Sequence, residues 1–128
     1  MIGFSRIAAS VVALGAIAVA PVSLADCTPP KAPTSFPDGK KATLEEMVAA
    51  QKLVKQYVAE VEDVYLKCVD SEPNPVPAEG ATADQKKAYI AKEAAKAKQH
   101  NAGVADEEKV SGQFNEQIKI YKAAQANK

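Results

Sequence analysis

The sequence predicts an all-α protein: an antiparallel helical hairpin with a long second helix, preceded by a proline-rich extended arm. Three observations carry that expectation. Two stretches, about 43–69 and 82–125, contain no proline. Each opens on a threonine followed three residues later by Glu or Gln, "TLEE" at 43–46 and "TADQ" at 82–85, the spacing of a capping box. Between them lies "DSEPNPVPAEGA", residues 70–81, whose three prolines and glycine cannot continue a helix.

Residues 1–25 read as a secretory signal peptide. They carry one charge, Arg6, then the apolar run "IAASVVALGAIAVA" and the small-residue site "SLA", with Ser23 and Ala25 where a signal peptidase reads. The run is too short and alanine-rich for a permanent span, which needs about 20 strongly apolar residues. No further apolar segment follows, so no transmembrane segment is expected after signal cleavage and the location is periplasmic or secreted.

Residues 26–42, "DCTPPKAPTSFPDGKKA", hold four prolines and a Pro-Asp-Gly turn at 37–39, which favour extended geometry over helix. The helical domain then runs over 43–128. In its first helix Met47, Gln51, Val54, Val58, Val61, Tyr65 and Cys68 alternate at four and three residues, the spacing of one helical face. Leu44, Ala50, Tyr57 and Val64 widen the stripe, so this helix has to pack against a partner element.

The second helix opens in "DQKKAYIAKEAAKAKQH", rich in Ala and Lys, with high helix propensity and little to bury beyond Tyr89 and Ile90. "NAGVADEE", residues 101–108, poses the one topological choice. Asn101 and Gly103 can end a helix, giving a three-helix bundle; the absence of proline, and a glycine cost of only about 1 kcal/mol, favour continuity. The segment ends in another apolar stripe, Val110, Phe114, Ile118 (or Gln117) and Tyr121.

Exported chains meet an oxidising compartment, and two cysteines, Cys27 and Cys68, invite one disulfide. The first helix rises roughly 38 Å from Thr43 to Cys68. The arm from Cys27 to Thr43 reaches about 50 Å when extended, enough to fold back along the helix and bring the cysteines together. Asp26 stands where a lipoprotein signal needs a small residue, and the 41-residue separation is unlike a Cys-x-x-Cys redox pair.

Composition narrows function. Beyond residue 25 there are 15 lysines, no arginine and 16 acidic residues. The arginine fork that captures phosphate and reads guanine edges is missing, and a near-neutral chain lacks an electrostatic footprint for nucleic acid. Lysines 86, 87, 92, 96 and 98 give the second helix a local positive charge, read as a solvated face. No phosphate loop, Gly-x-Ser-x-Gly, His-Glu-x-x-His or EF-hand loop is present. No catalytic or cofactor-binding residue, no metal ligand set and no cofactor is therefore assigned, and the expectation is that the protein is not an enzyme. A rival reading, a small-ligand or metal-binding protein, would use His100 and nearby carboxylates.

The run "FPDGKKATLEEMVAAQKLVKQYVAEVEDVYLKC", with "FNEQIKIYK" near the end, resembles small exported helical-hairpin proteins of Gram-negative bacteria with paired cysteines. They share Pro-Asp-Gly, Glu-Met, Tyr-Leu-x-Cys and Phe-Asn signatures across most of the chain beyond residue 25. The resemblance implies export, a helical hairpin and paired cysteines, and supplies no activity.

The functional expectation is a non-enzymatic interaction, scaffold or holdase-like module of the periplasm, with a cell-envelope structural role as the alternative. A second helix of about 44 residues against 27 would leave roughly 25 Å unpartnered. That overhang, with Val110, Phe114, Ile118 and Tyr121 as its candidate surface, would self-associate or bind an envelope protein.

Overall fold

The computed structural model describes residues 27–127, so the signal peptide expected at residues 1–25 lies outside the described residues. The chain is a helical hairpin. An extended arm leads into α1 (Leu44–Glu60), which continues through a π-helical segment (Val61–Leu66) into the short α2 (Lys67–Ser71). A proline-rich loop then leads to α3, an unbroken helix of 44 residues (Ala83–Ala126), about 66 Å long. The helix runs straight through Gly103, so the hairpin, not the three-helix bundle, is the architecture.

Both capping boxes form. Thr43 accepts from the Glu46 amide while Glu46 Oε2 accepts from the Thr43 amide at 2.7 Å. Thr82 and Gln85 repeat the arrangement at the start of α3. Each pair satisfies two amides that a helix start otherwise leaves unbonded. These bonds from Thr43 also hold the Glu46 carboxyl below its ordinary pKa.

The buried seam of the first helical arm is Met47, Ala50, Val54, Tyr57, Val61, Tyr65 and Val69. Four of these belong to the stripe that the spacing predicts, Ala50 and Tyr57 are among the residues expected to widen it, and Val69 alone is outside that expectation, while Leu44 and Val64 of the widening set are exposed. Gln51 is exposed and Val58 and Cys68 are half-buried; Ala50, Tyr57 and Val69 take the interior places. Up to Val61 the spacing alternates three and four, the complement of the expected register. From Val61 to Tyr65 to Val69 it is four and four, which an α-helix of 3.6 residues per turn would rotate off the seam. The π segment supplies the wider turn, so all three side chains keep facing α3.

Across the seam α3 contributes Val110 and Phe114, buried, with Ile118 and Tyr121 packed against them. The candidate surface drawn from those four residues is thus part of the intramolecular core. The arm closes the core from a third side: Phe36 packs on Phe114 with ring centroids 5.7 Å apart. The Pro-Asp-Gly turn seats its backbone on α3, where the Gly39 amide donates to Gln117 Oε1 at 2.9 Å. A Cβ at Gly39 would run into the backbone of Gln117 and Tyr121, so the close approach requires glycine.

The disulfide expected from the reach of the arm is present. Cys27 and Cys68 are joined with Cα atoms 5.7 Å apart. The arm therefore lies along the whole first helical arm and is tied at its far end.

Candidate functional site

The two helical arms antiparallel to one another leave the first turns of α3 beyond the end of α2, the overhang expected from the helix lengths. It is not bare. The proline-rich loop folds back along it, and a polar network fastens loop to helix. Tyr89, Lys92, Glu93, Lys96 and His100 recur at three- and four-residue steps and so share one face of α3.

Lys96 Nζ donates to the carbonyls of Asp70 at 3.2 Å and Glu72 at 3.0 Å, and Lys92 Nζ donates to the Pro73 carbonyl at 2.7 Å. These carbonyls belong to the last turn of α2 and the residues after it, which have no intrahelical donors. The two ammonium groups supply both the donors and the positive charge that a helix C-terminus favours. Lys92 also lies 3.8 Å from Glu72 Oε2. Asn74 Nδ2 donates to the Tyr89 carbonyl at 3.1 Å and to Glu93 Oε1 at 2.8 Å. Lys92 and Lys96, expected on a solvated face, instead bond to the loop and the end of α2.

His100 sits at the inner edge of this network, with Nδ1 2.9 Å from Asp70 Oδ1. Its partner is thus the end of α2. Among the described residues no group of three or more His, Cys, Asp or Glu side chains is placed to hold a metal ion.

Between loop and helix the fold leaves an open cleft of about 680 Å³. Pro75, Val76 and Pro77 form one wall, Ala88 and Tyr89 the other, and Ala81 closes the end. The wall geometry follows from sequence: prolines at alternate positions keep 73–77 extended and remove amides that would otherwise need partners. Small alanines at 81 and 88 keep the cleft from filling, and Tyr89 gives it one large aromatic face, half-buried. Val76 projects beside it at 77% exposure, and Ile90 on the same helical turn is 65% exposed.

A second polar cluster lies at the junction of seam and network. The phenols of Tyr57 and Tyr65 are pushed above the ordinary tyrosine range by burial and then by Asp106, with Glu107 adding to the effect on Tyr57. Glu107 is raised by burial, then by Glu62 and Glu108. Here Gly103 lets the helices close: a Cβ would lie 2.8 Å from the Tyr65 ring and 2.9 Å from Leu66 Cδ2. Among the described helices none is long and apolar enough to cross a membrane.

The tip residues Asn74, Val76, Tyr89, Lys92 and Lys96 were not separable as a site from sequence. The available signal was the proline alternation in "PNPVP" combined with the three- and four-residue spacing of polar residues on α3. No protein-family model, curated protein or solved structure matches the chain.

Proposed function

We propose that the protein is a non-enzymatic interaction module of the bacterial periplasm, and that it binds its partner at the hairpin tip. The observation that supports this reading is the cleft between Pro75–Pro77 and Ala88–Tyr89, an apolar recess held open by a polar network. Ligand-binding recesses are concave, mostly apolar and edged by a few fixed polar groups, and this recess has that composition. The partner surface that fits is a small apolar projection of an envelope protein, such as one or two aliphatic or proline side chains. The disulfide is consistent with an oxidising compartment.

Capture from envelope extract by the oxidised protein, compared with a Val76→Ser/Tyr89→Ser variant, tests the reading. Proteins retained by the parent and lost from the variant support it, provided both show the same helical circular dichroism. Identical eluates overturn it. Release of the protein by osmotic shock checks the compartment, and retention with membranes or wall favours the envelope-structural alternative.

A further inference from the structure

The arm is fastened in two different ways on either side of Asp38. From Asp38 to Thr43 it is anchored by hydrogen bonds: Lys41 and Ala42 amides to the Asp38 carbonyl, Lys40 to Asp38 Oδ1, Gly39 to Gln117, and the Thr43 cap. Over residues 27–37 no hydrogen bond to the rest of the described chain is formed. That stretch rests in the groove between α1 and α3 through a few half-buried side chains, chiefly Ala32, Pro33 and Phe36, and is tied down by Cys27. Phe36 adjoins the anchor, so residues 27–35 are held by the disulfide and by the packing of Pro30, Ala32 and Pro33, with no hydrogen bond to add to them.

Beneath that stretch lie buried groups of the core. Lys31–Thr34 pass beside Gln56, Tyr57 and Glu60 on one side and Val110 and Gln113 on the other. Tyr57 is 5% exposed and Val110 4%.

We propose that the Cys27–Cys68 disulfide is a redox latch: its reduction releases residues 27–35 and uncovers Tyr57 and Val110 while the hairpin stays folded. The reductant is a dithiol of the Cys-x-x-Cys class. Its thiolate attacks one sulfur of the bond to give a mixed disulfide, and its second thiol resolves that intermediate. Two electrons and two protons end on the Cys27 and Cys68 thiols, and the donor leaves as a disulfide. The hydrogen-bonded anchor at Asp38–Thr43 stops the release from spreading into α1, because weakly bonded segments open independently of well-bonded ones. This inference does not depend on what the tip binds.

Trypsin reads the latch, since Lys31 lies in the strapped segment and Lys52 and Lys55 lie in α1. With dithiothreitol, cleavage after Lys31 is expected to accelerate about tenfold or more, because proteolysis follows the population of the open form. Cleavage after Lys52 and Lys55, and the helical circular dichroism, are expected to stay unchanged. A Cys27→Ser variant is expected to reproduce the pattern without reductant, excluding an effect of dithiothreitol on the protease. Unchanged cleavage after Lys31 overturns the proposal, because the arm then stays docked without its bond. Joint acceleration at Lys31, Lys52 and Lys55 also overturns it, because the disulfide is then a global staple.

Discussion

The two ends of the hairpin are joined by different chemistry. At the closed end, α1 and the C-terminal half of α3 meet through Met47, Ala50, Val54, Val110 and Phe114, with Phe36 of the arm laid over them. At the tip, α2, the loop and the start of α3 meet through lysine ammonium groups, backbone carbonyls and one asparagine. Apolar burial is cooperative and shape-dependent, so the closed end resists substitution poorly and opening strongly. Partly exposed charge-assisted bonds contribute modestly one by one, so the tip holds its shape yet can adjust around a partner. Stability and the proposed binding surface are thereby separated along one helix, with Gly103 near the boundary.

The largest effect is expected from Phe114→Ala, which empties the centre of the closed end. A loss of about 3–5 kcal/mol in urea unfolding is the usual cost of such a truncation. A loss below about 1 kcal/mol would mean that the apolar seam does not dominate, and the contrast between the ends would collapse.

Next comes a pair with opposite signs. Gly103→Ala drives a Cβ into Tyr65 and Leu66, and overpacking of about 1–3 kcal/mol outweighs the roughly 1 kcal/mol gain in helix propensity. Gly112→Ala meets nothing within 4 Å, so the propensity gain stands alone and the melting temperature rises. Stabilisation by both substitutions would show that the helices are not pressed together at Gly103.

Lys96→Met keeps the length of the stem and removes the ammonium group from the Asp70 and Glu72 carbonyls. A loss of about 1 kcal/mol is expected, with faster amide exchange confined to residues 67–74 and 83–96. Exchange spreading to α1 would mean that tip and closed end open as one unit.

The smallest effect is at Glu107, whose carboxyl is raised by burial, then by Glu62 and Glu108. The folded chain binds that proton more tightly than the unfolded chain. Its contribution to stability therefore falls as pH rises from the ordinary carboxylate range through the raised value. Glu107→Gln removes the loss, so a gain of about 0.5 kcal/mol or less is expected at neutral pH and none at acid pH. A gain of equal size at both would assign the effect to packing instead.

The hairpin as a whole is largely legible in sequence because its signals are local. Both capping boxes, the prolines that end α2, and the reach of the arm from Cys27 to Cys68 are properties of short stretches or of chain length. The register of the first helical arm is less so. Met47, Val54 and Val61 fit a four-three and a three-four alternation equally, and only the surface of α3 selects Ala50, Tyr57 and Val69 over Gln51, Val58 and Cys68. The π segment that keeps Val69 on the seam answers that tertiary demand and leaves no mark in propensity. Val110 and Phe114 read as an unpartnered stripe because nothing local says which end of α3 overhangs: its excess length lies before Lys96, not after Val110. The tip is the least legible part, since whether a lysine caps a distant carbonyl or faces water depends on where the loop returns.

The division between a packed end and a proposed binding tip is tested most directly by placing a photo-crosslinking residue at Val76 or at Val48 in cells that produce the protein. Both side chains are exposed, at 77% and 44%, but Val76 stands at the tip cleft and Val48 on the outer face of α1. Discrete crosslinked adducts from position 76, with none from position 48, are the predicted result. Adducts from position 48 with none from 76 would place the binding surface on the outer face of α1 and contradict the account.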